Sequence, residues 1–292
     1  MKAKSHNFKG RTRMNLQIAQ EQANILVTIP RFSLADTLDC GQAFRWTAQP
    51  DNSFTGVACG RFLHVTQHGD TVIFHNTTQS DFDEIWRPYF DLDTDYDAIH
   101  KALSFQPTIR TAMEHAGGIR ILRQEPWETL CSFIISQNNN IPRIKGILSR
   151  LCEHFGEELF PGVYDFPDAQ TLAACTVDDL SPLRAGFRAK YLIDAAQKVT
   201  SGEVDFTRIQ NASLQDGEAE LTQIFGVGTK VAQCVLLFGF HKLDAFPVDV
   251  WVKRILARYF PRGFPKRAKR YGGVAQQYLF HYERTLEKGR PD

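Results

Sequence analysis

The segment Ile224-Phe-Gly-Val-Gly-Thr-Lys-Val-Ala-Gln-Cys-Val-Leu-Leu-Phe238, followed by Phe246-Pro-Val-Asp-Val-Trp251, constrains this chain more than any other stretch. Gly226 and Gly228 permit backbone conformations barred to residues with a Cβ, so successive N–H groups can point outward at the mouth of the next helix. Such a mouth binds phosphate. Lys230 falls in the first turn of that helix, which runs apolar through Val231, Cys234, Val235 and Phe238. There the helix dipole opposes its positive charge and favours the neutral amine, a nucleophile. Asp249 follows Pro247-Val248 and precedes Val250 to Tyr259, a capping position for a carboxylate at the start of a second helix. Taken singly, these features read as a tight turn, a solvated lysine and a helix cap. Together they describe a phosphate-gripping turn with a nucleophile and an acid close by in sequence.

The chain has 292 residues, 43% of them hydrophobic, enough to bury a substantial core in two or three subdomains. Its net charge of +1 does not advertise nucleic-acid binding. The basic residues are unevenly spread, however: Lys2, Lys4, Lys9, Arg11 and Arg13 open the chain, and Arg262, Lys266, Arg267, Lys269 and Arg270 lie near its end. A local basic face can supply phosphate contacts on a near-neutral chain. Six cysteines occur with no CxxC pair and no secretory signal, which argues against a disulfide framework or a zinc site. No apolar run reaches membrane-spanning length, and the nine histidines show no paired ligand spacing. Asp91-Leu-Asp-Thr-Asp-Tyr-Asp97 begins like a calcium loop, but Tyr96 replaces the required glycine and Ala102 the bidentate acid. It reads as a solvated approach to a helix.

Along the chain, Ile25–Ile29, Phe44–Trp46, Ser53–Val57, Arg61–Thr66 and Thr71–His75 are short, β-rich runs separated by turn signals at Pro50-Asp-Asn52, Gly60 and Gly69-Asp70. Their spacing predicts an antiparallel meander. From Asp81 the period turns helical, with Pro126 near the start of one helix and Gly156 at the end of the next. The expected fold class is therefore α+β. Residues 1–13 read as a basic N-terminal extension, 14–117 as the sheet domain with flanking helices, and 118–292 as a mainly helical domain.

The glycine hairpin with Lys230, followed by Pro-Val-Asp249, resembles the helix-hairpin-helix glycosylase superfamily in its lysine-bearing branch. Over nearly its whole length the chain is similar to the 8-oxoguanine DNA glycosylase family. Four further signatures carry that likeness: Thr37-Leu-Asp-Cys-Gly-Gln-Ala-Phe-Arg-Trp46, Ser136-Gln-Asn-Asn-Asn-Ile-Pro-Arg143, Gly186-Phe-Arg-Ala-Lys-Tyr191 and Ala275-Gln-Gln-Tyr-Leu-Phe280. The resemblance implies a bifunctional enzyme that excises 8-oxoguanine, preferentially opposite cytosine, through a Schiff base on Lys230 assisted by Asp249, and then cleaves the strand by β-elimination. It implies a lesion-base pocket of Gly41, Cys234, Pro247, Gln276 and Phe280, with the Gly41 carbonyl facing the N7 proton that guanine lacks. Asn138, Arg143, Phe187 and Arg188 are implied around the orphan cytosine, and Gly226, Gly228, Val231 and Trp251 along the DNA.

The chain departs from the family pattern at three of these places. Phe225 stands where proline is common in the hairpin, Trp251 where many relatives have histidine, and Phe187 where tyrosine is common. The implied partner is double-stranded DNA containing oxidised guanine, bound by a monomer with no membrane association. No organic cofactor is expected; the family allows a monovalent cation at the hairpin, and an iron–sulfur cluster is excluded because no cysteine follows Cys234. Localisation would be cytoplasmic in a bacterium and nuclear in a eukaryote. Two other readings remain open at this point: a non-catalytic DNA-binding module, and a glycosylase for another base such as an alkylated purine.

Overall fold

The structure is a computed structural model. It describes residues 14, 16–21 and 23–288, so the basic extension 1–13 lies outside the described residues. Strands β1 (Gln17–Glu21), β2 (Asn24–Thr28), β3 (Trp46–Ala48), β4 (Phe54–Ala58), β5 (Arg61–His68) and β6 (Thr71–His75) form one sheet in the order β1-β2-β6-β5-β4-β3, antiparallel throughout. Cys59 and Gly60, with φ of 52° and 70°, make the two-residue turn between β4 and β5. Paired left-handed residues give such a turn the twist of its strands. Alternation sends Ile25, Val27, Leu63, Val65, Val72 and Phe74 to one face, where they bury against Trp46, Trp86, Phe82 and Phe90.

Two strands of this sheet differ from the sequence expectation. The unexpected β1 is polar and almost wholly exposed, so it carries no alternation to read. The expected Phe44–Trp46 strand lies instead at Trp46–Ala48, because Phe44 joins a different core from Trp46.

Helix α1 (Leu34–Asp39) precedes β3. After the sheet come α2 (Gln79–Asp81), a π-helical turn over Phe82–Trp86, α3 (Arg87–Tyr89), α4 (Tyr96–Leu103) and α5 (Pro107–His115). The rest is mainly helical: α6 (Pro126–Ser136), α7 (Ile141–Phe155), a small hairpin of β7 (Glu158–Phe160) and β8 (Val163–Tyr164), α8 (Ala169–Ala173), α9 (Arg188–Ser201), α10 (Phe206–Asn211), α11 (Leu214–Leu221), α12 (Thr229–Phe238), α13 (Val250–Tyr259) and α14 (Gly272–Lys288). The helical core is centred on α6 and α12, where the Phe133 ring stacks on Phe238 at 5.4 Å. Ile99, Leu103, Ile109 and Met113 also bury in this core, so α4 and α5 pack with the helices although they precede Gly117-Gly118.

The strip Thr37–Trp46 joins the two cores, contributing Cys40 and Phe44 to one and Ala43 and Trp46 to the other. The buried Gln42 side chain locks it in place. Its Nε2 donates to the carbonyls of Thr37 (2.9 Å) and Arg120 (2.8 Å), and its Oε1 accepts from Leu122 N–H at 2.9 Å.

The acidic run at 91–97 is solvated only in part. Asp95 caps α4, and Asp97 is exposed. Asp91, in contrast, is 1% exposed and accepts from Arg123 Nε (2.7 Å) and Tyr96 Oη (3.1 Å), with His241 Nε2 at 3.0 Å. Burial pushes its carboxyl up, but the His241 and Arg123 charges beside it prevail and hold it well below the usual range.

Candidate active site

Gly226 has φ of 80°, and a Cβ there would come within 2.5 Å of the Tyr191 ring, so both conformation and space demand glycine. Gly228 is a correction to the sequence argument. Its φ of −100° and ψ of 178° are open to any residue, and a Cβ there would meet nothing within 4 Å. Only Gly226 needs glycine's freedom; Gly228 leaves the helix mouth clear. No side chain caps α12, which leaves the N–H groups of its first turn, Val231 included, without an intrahelical or capping acceptor. That is the donor set an approaching phosphate requires.

Lys230 is half-buried on the first turn of α12, its Nζ 5.2 Å from the centroid of the Phe133 ring. Asp249 caps α13, with Oδ1 accepting from Val252 N–H at 2.8 Å. The charges of both groups act on the Cys234 thiol. Burial pushes the Cys234 thiol up to about 11; the Lys230 charge and its hydrogen bond to that thiol oppose the rise, and the Asp249 charge adds to it. The charges of an amine and a carboxylate are thus both felt at one buried thiol.

Gln233 fixes their spacing, and the sequence argument missed it. Its Oε1 accepts from Phe246 N–H at 2.9 Å, while its amide donates to Glu218. This ties the loop with buried Pro247 to the helix carrying Lys230. The signal was an amide three residues after Lys230 in an otherwise apolar run.

Gln276 and Phe280 lie one turn apart on α14 and share a face. Gly41, with φ of 85°, sits against that face: a Cβ there would be 3.8 Å from Phe280 Cε1. Trp251 meets the Phe280 ring edge-on at 6.4 Å, which connects the pocket to the Asp249 helix. Gln277 donates to the Cys40 carbonyl at 2.8 Å and holds the Gly41 loop to α14. Gln276 itself is 6% exposed, and its Oε1 has no hydrogen-bond partner among the described residues. A buried acceptor left this way costs stability until a donor reaches it.

A second group surrounds the polar break after α6. Asn138 is exposed with φ of 48°, a left-handed conformation that asparagine tolerates. Arg143 is exposed on the first turn of α7, and Phe187 is 48% exposed before α9. Arg188 differs from them. It is 2% exposed, and its guanidinium donates to the carbonyls of Gln137, Asn138 (2.9 Å) and Ala185 (3.1 Å). Here it braces the Asn138 loop from behind and presents no free face.

Fold and site together define a helix-hairpin-helix base-excision repair protein: residues 131–274 match the family model described as HhH-GPD superfamily base excision DNA repair protein. Residues 24–130 match the 8-oxoguanine DNA glycosylase N-terminal domain. The chain belongs to the 8-oxoguanine DNA glycosylase family. It is 41% identical to MBOgg1, solved in complex with a low-affinity DNA ligand, with a TM-score of 0.89 over 94% of this chain and 100% of that one. It is 37% identical to the Clostridium acetobutylicum 8-oxoguanine glycosylase/lyase, solved with double-stranded DNA containing cytosine opposite 8-oxoG, with a TM-score of 0.87 over 94% and 100%. The N-glycosylase/DNA lyase of Saccharomyces cerevisiae is 43% identical over 156 residues, 48% of this chain but only 42% of the yeast protein.

Proposed function

We propose that this chain excises 8-oxoguanine from duplex DNA, preferentially opposite cytosine, through a covalent intermediate on Lys230 followed by β-elimination. Its family membership makes it a DNA N-glycosylase and DNA lyase. The lesion, the partner base and the covalent route are the proposal. The observation that carries it is Lys230 on the first turn of α12, at a helix mouth that no side chain caps and that is free to hold phosphate.

A stacked nucleotide hides its glycosidic carbon, so the base must first be flipped out. Lys230 Nζ then attacks C1′ of the sugar, and the C1′–N9 bond breaks with its electron pair leaving on the base, which takes up a proton. Opening of the sugar ring gives an imine between Nζ and C1′. Removal of a proton from C2′ then expels the 3′ phosphate. Asp249 suits two roles: accepting a proton from the amine, or stabilising positive charge that develops on the sugar.

In the lesion pocket Phe280 would stack on the flipped base, and Cys234 and Pro247 would pack on the far side. The unpaired Oε1 of Gln276 would accept from the base's pairing edge. The Gly41 carbonyl would accept the N7 proton of the lesion. Facing guanine, that carbonyl would meet a lone pair instead, a difference of about 1–3 kcal/mol. Asn138 would fill the vacated stack, with Phe187 as a wedge and Arg143 beside the orphan cytosine. Arg188 would reach the cytosine only by exchanging a carbonyl partner for it.

These steps use no organic cofactor. Hairpin Ile224–Gly228 holds no acidic side chain and offers a cation only carbonyls, a donor set that fits a monovalent ion bridging to phosphate. The enzyme would act as a monomer wherever the chromosome lies. Single-turnover excision with borohydride trapping tests the reading, on duplexes carrying 8-oxoguanine opposite each base, with guanine and an alkylated purine as controls. Trapping on 8-oxoguanine, fastest opposite cytosine, is expected; equal rates on the alkylated purine, or no trapped complex, would overturn it.

A further inference from the structure

The hairpin that launches α12 is held from one side by a single helix. Helix α9 presents Tyr191, Asp194 and Lys198 at intervals of three and four residues, which places them on one face. The Tyr191 ring lies under Gly226 and meets Phe225 edge-on at 5.0 Å. Asp194 Oδ2 accepts from Phe225 N–H at 2.7 Å. Lys198 Nζ donates to the Gln223 carbonyl at 2.6 Å and pairs with Asp194 at 3.1 Å. The first turn of the same helix carries Arg188, which grips the Asn138 loop. Helix α9 therefore touches both loops that the proposed function assigns to DNA.

The turn itself explains the need for Asp194. Val227 N–H donates to the Ile224 carbonyl at 3.0 Å, and Gly226, the third turn residue, has φ of 80°. These are the marks of a type II turn, whose second position, here Phe225, favours proline. Proline has no N–H and needs no acceptor there. Phenylalanine exposes a donor at the point where the turn must stay fixed, and Asp194 supplies the acceptor.

We propose that Asp194 is a positioning residue for the covalent step, fixing through Phe225 N–H the turn that aims Lys230. The inference rests on the reading of Lys230 as the nucleophile. Its test is the single-turnover rate of borohydride trapping at saturating lesion duplex, measured with the dissociation constant of the same duplex. Asp194→Ala should slow trapping about tenfold while changing the dissociation constant less than about twofold. Phe225→Pro removes the N–H, so Asp194→Ala in that background should cost less than about twofold. Asp194 is half-buried, and thermal melting of the same samples checks that the fold is intact.

Wild-type trapping with no slowing in Asp194→Ala would overturn the proposal. So would a loss confined to the dissociation constant, or an equal slowing in the Phe225→Pro background. Failure of the wild type to be trapped at all would instead overturn the reading of Lys230.

Discussion

Gln276 and Arg143 are both proposed to read the edge of a base, yet they are held in opposite ways. Gln276 is buried on α14, its acceptor unpaired, beside a Gly41 loop fixed by Gln42 and Gln277. Arg143 stands exposed on the first turn of α7, next to an exposed Asn138 and in front of an Arg188 whose donors are engaged by carbonyls. On the proposed assignments, the lesion side is held by buried hydrogen bonds in the free protein, whereas Asn138 and Arg143 on the opposite-base side stand exposed. Preorganised groups pay their conformational entropy in folding, whereas exposed side chains lose about 0.5–1.5 kcal/mol each when immobilised at an interface. Discrimination among lesions is therefore expected to be steeper than discrimination among partner bases.

The largest expected effect lies where both sides converge. Lys230→Gln should abolish borohydride trapping on every duplex, because Lys230 is the lysine on the first turn of α12; a trapped complex in the variant would place the nucleophile elsewhere. Asp249→Asn keeps an oxygen to cap α13 but loses the charge, and should slow turnover by about 10²–10⁴-fold with little change in DNA affinity. Turnover at the wild-type rate would remove Asp249 from the chemistry.

The preorganised half should also depend on the buried node at Asp91, since His241 follows the helix that carries Lys230. Asp91→Asn leaves Arg123 without its buried carboxylate partner, and is expected to cost about 3 kcal/mol near neutral pH, read from urea unfolding. Because the Asp91 carboxyl is held below the usual range, folding favours its ionised form. That stabilisation is complete above the unfolded value of about 3.9 and is lost as pH falls below it. The gap between wild type and variant should narrow as the medium is acidified from about pH 5 to pH 3. A gap that stays constant would show that the charge contributes nothing.

A smaller effect with two opposite signs isolates Gln276. Gln276→Leu removes an acceptor that has no partner among the described residues, so stability should rise by about 1 kcal/mol, while lesion excision should fall about tenfold or more. Loss of both stability and activity would mean that the amide is satisfied within the fold and does not wait for a base.

What the sequence disclosed follows the same division. Apolar periodicity and turn residues announced the sheet, α6 and α7, because each is built from local pattern. The positions of Lys230 and Asp249 at two helix starts were legible because a glycine turn and a capping carboxylate are local patterns. Asp91 was not: its partners at Arg123 and His241 are distant in the chain, and an acidic run reads as solvated whatever lies across the fold. Gln233 and Asp194 were hidden for a related reason, since each serves a backbone N–H in another segment, and a backbone donor leaves no mark in a sequence. The burial of Arg188 is likewise set by where the Gln137 and Asn138 carbonyls fall.

Between those two arginines lies the finest test of the comparison. Cytosine's exposed edge offers acceptors to a guanidinium, whereas adenine presents a donor, so at least one N–H would face a mismatch opposite adenine. If Arg143 reads that edge, Arg143→Met should compress the cytosine-to-adenine ratio of excision rates, by about fivefold for an interaction near 1 kcal/mol, more than it weakens DNA binding. An arginine that merely neutralises a phosphate would behave otherwise, lowering affinity for all duplexes alike and reducing the salt slope by about one contact. Arg188 supplies the internal control. Its donors already hold the Asn138 loop, so Arg188→Met should lower excision opposite every base together, with its ratio changed less than that of Arg143→Met. Single-turnover rates against all four partner bases decide between them. If Arg188→Met compresses the ratio while Arg143→Met leaves it unchanged, the buried arginine leaves its carbonyls to read the base, and the opposite-base side is as specifically built as the lesion side.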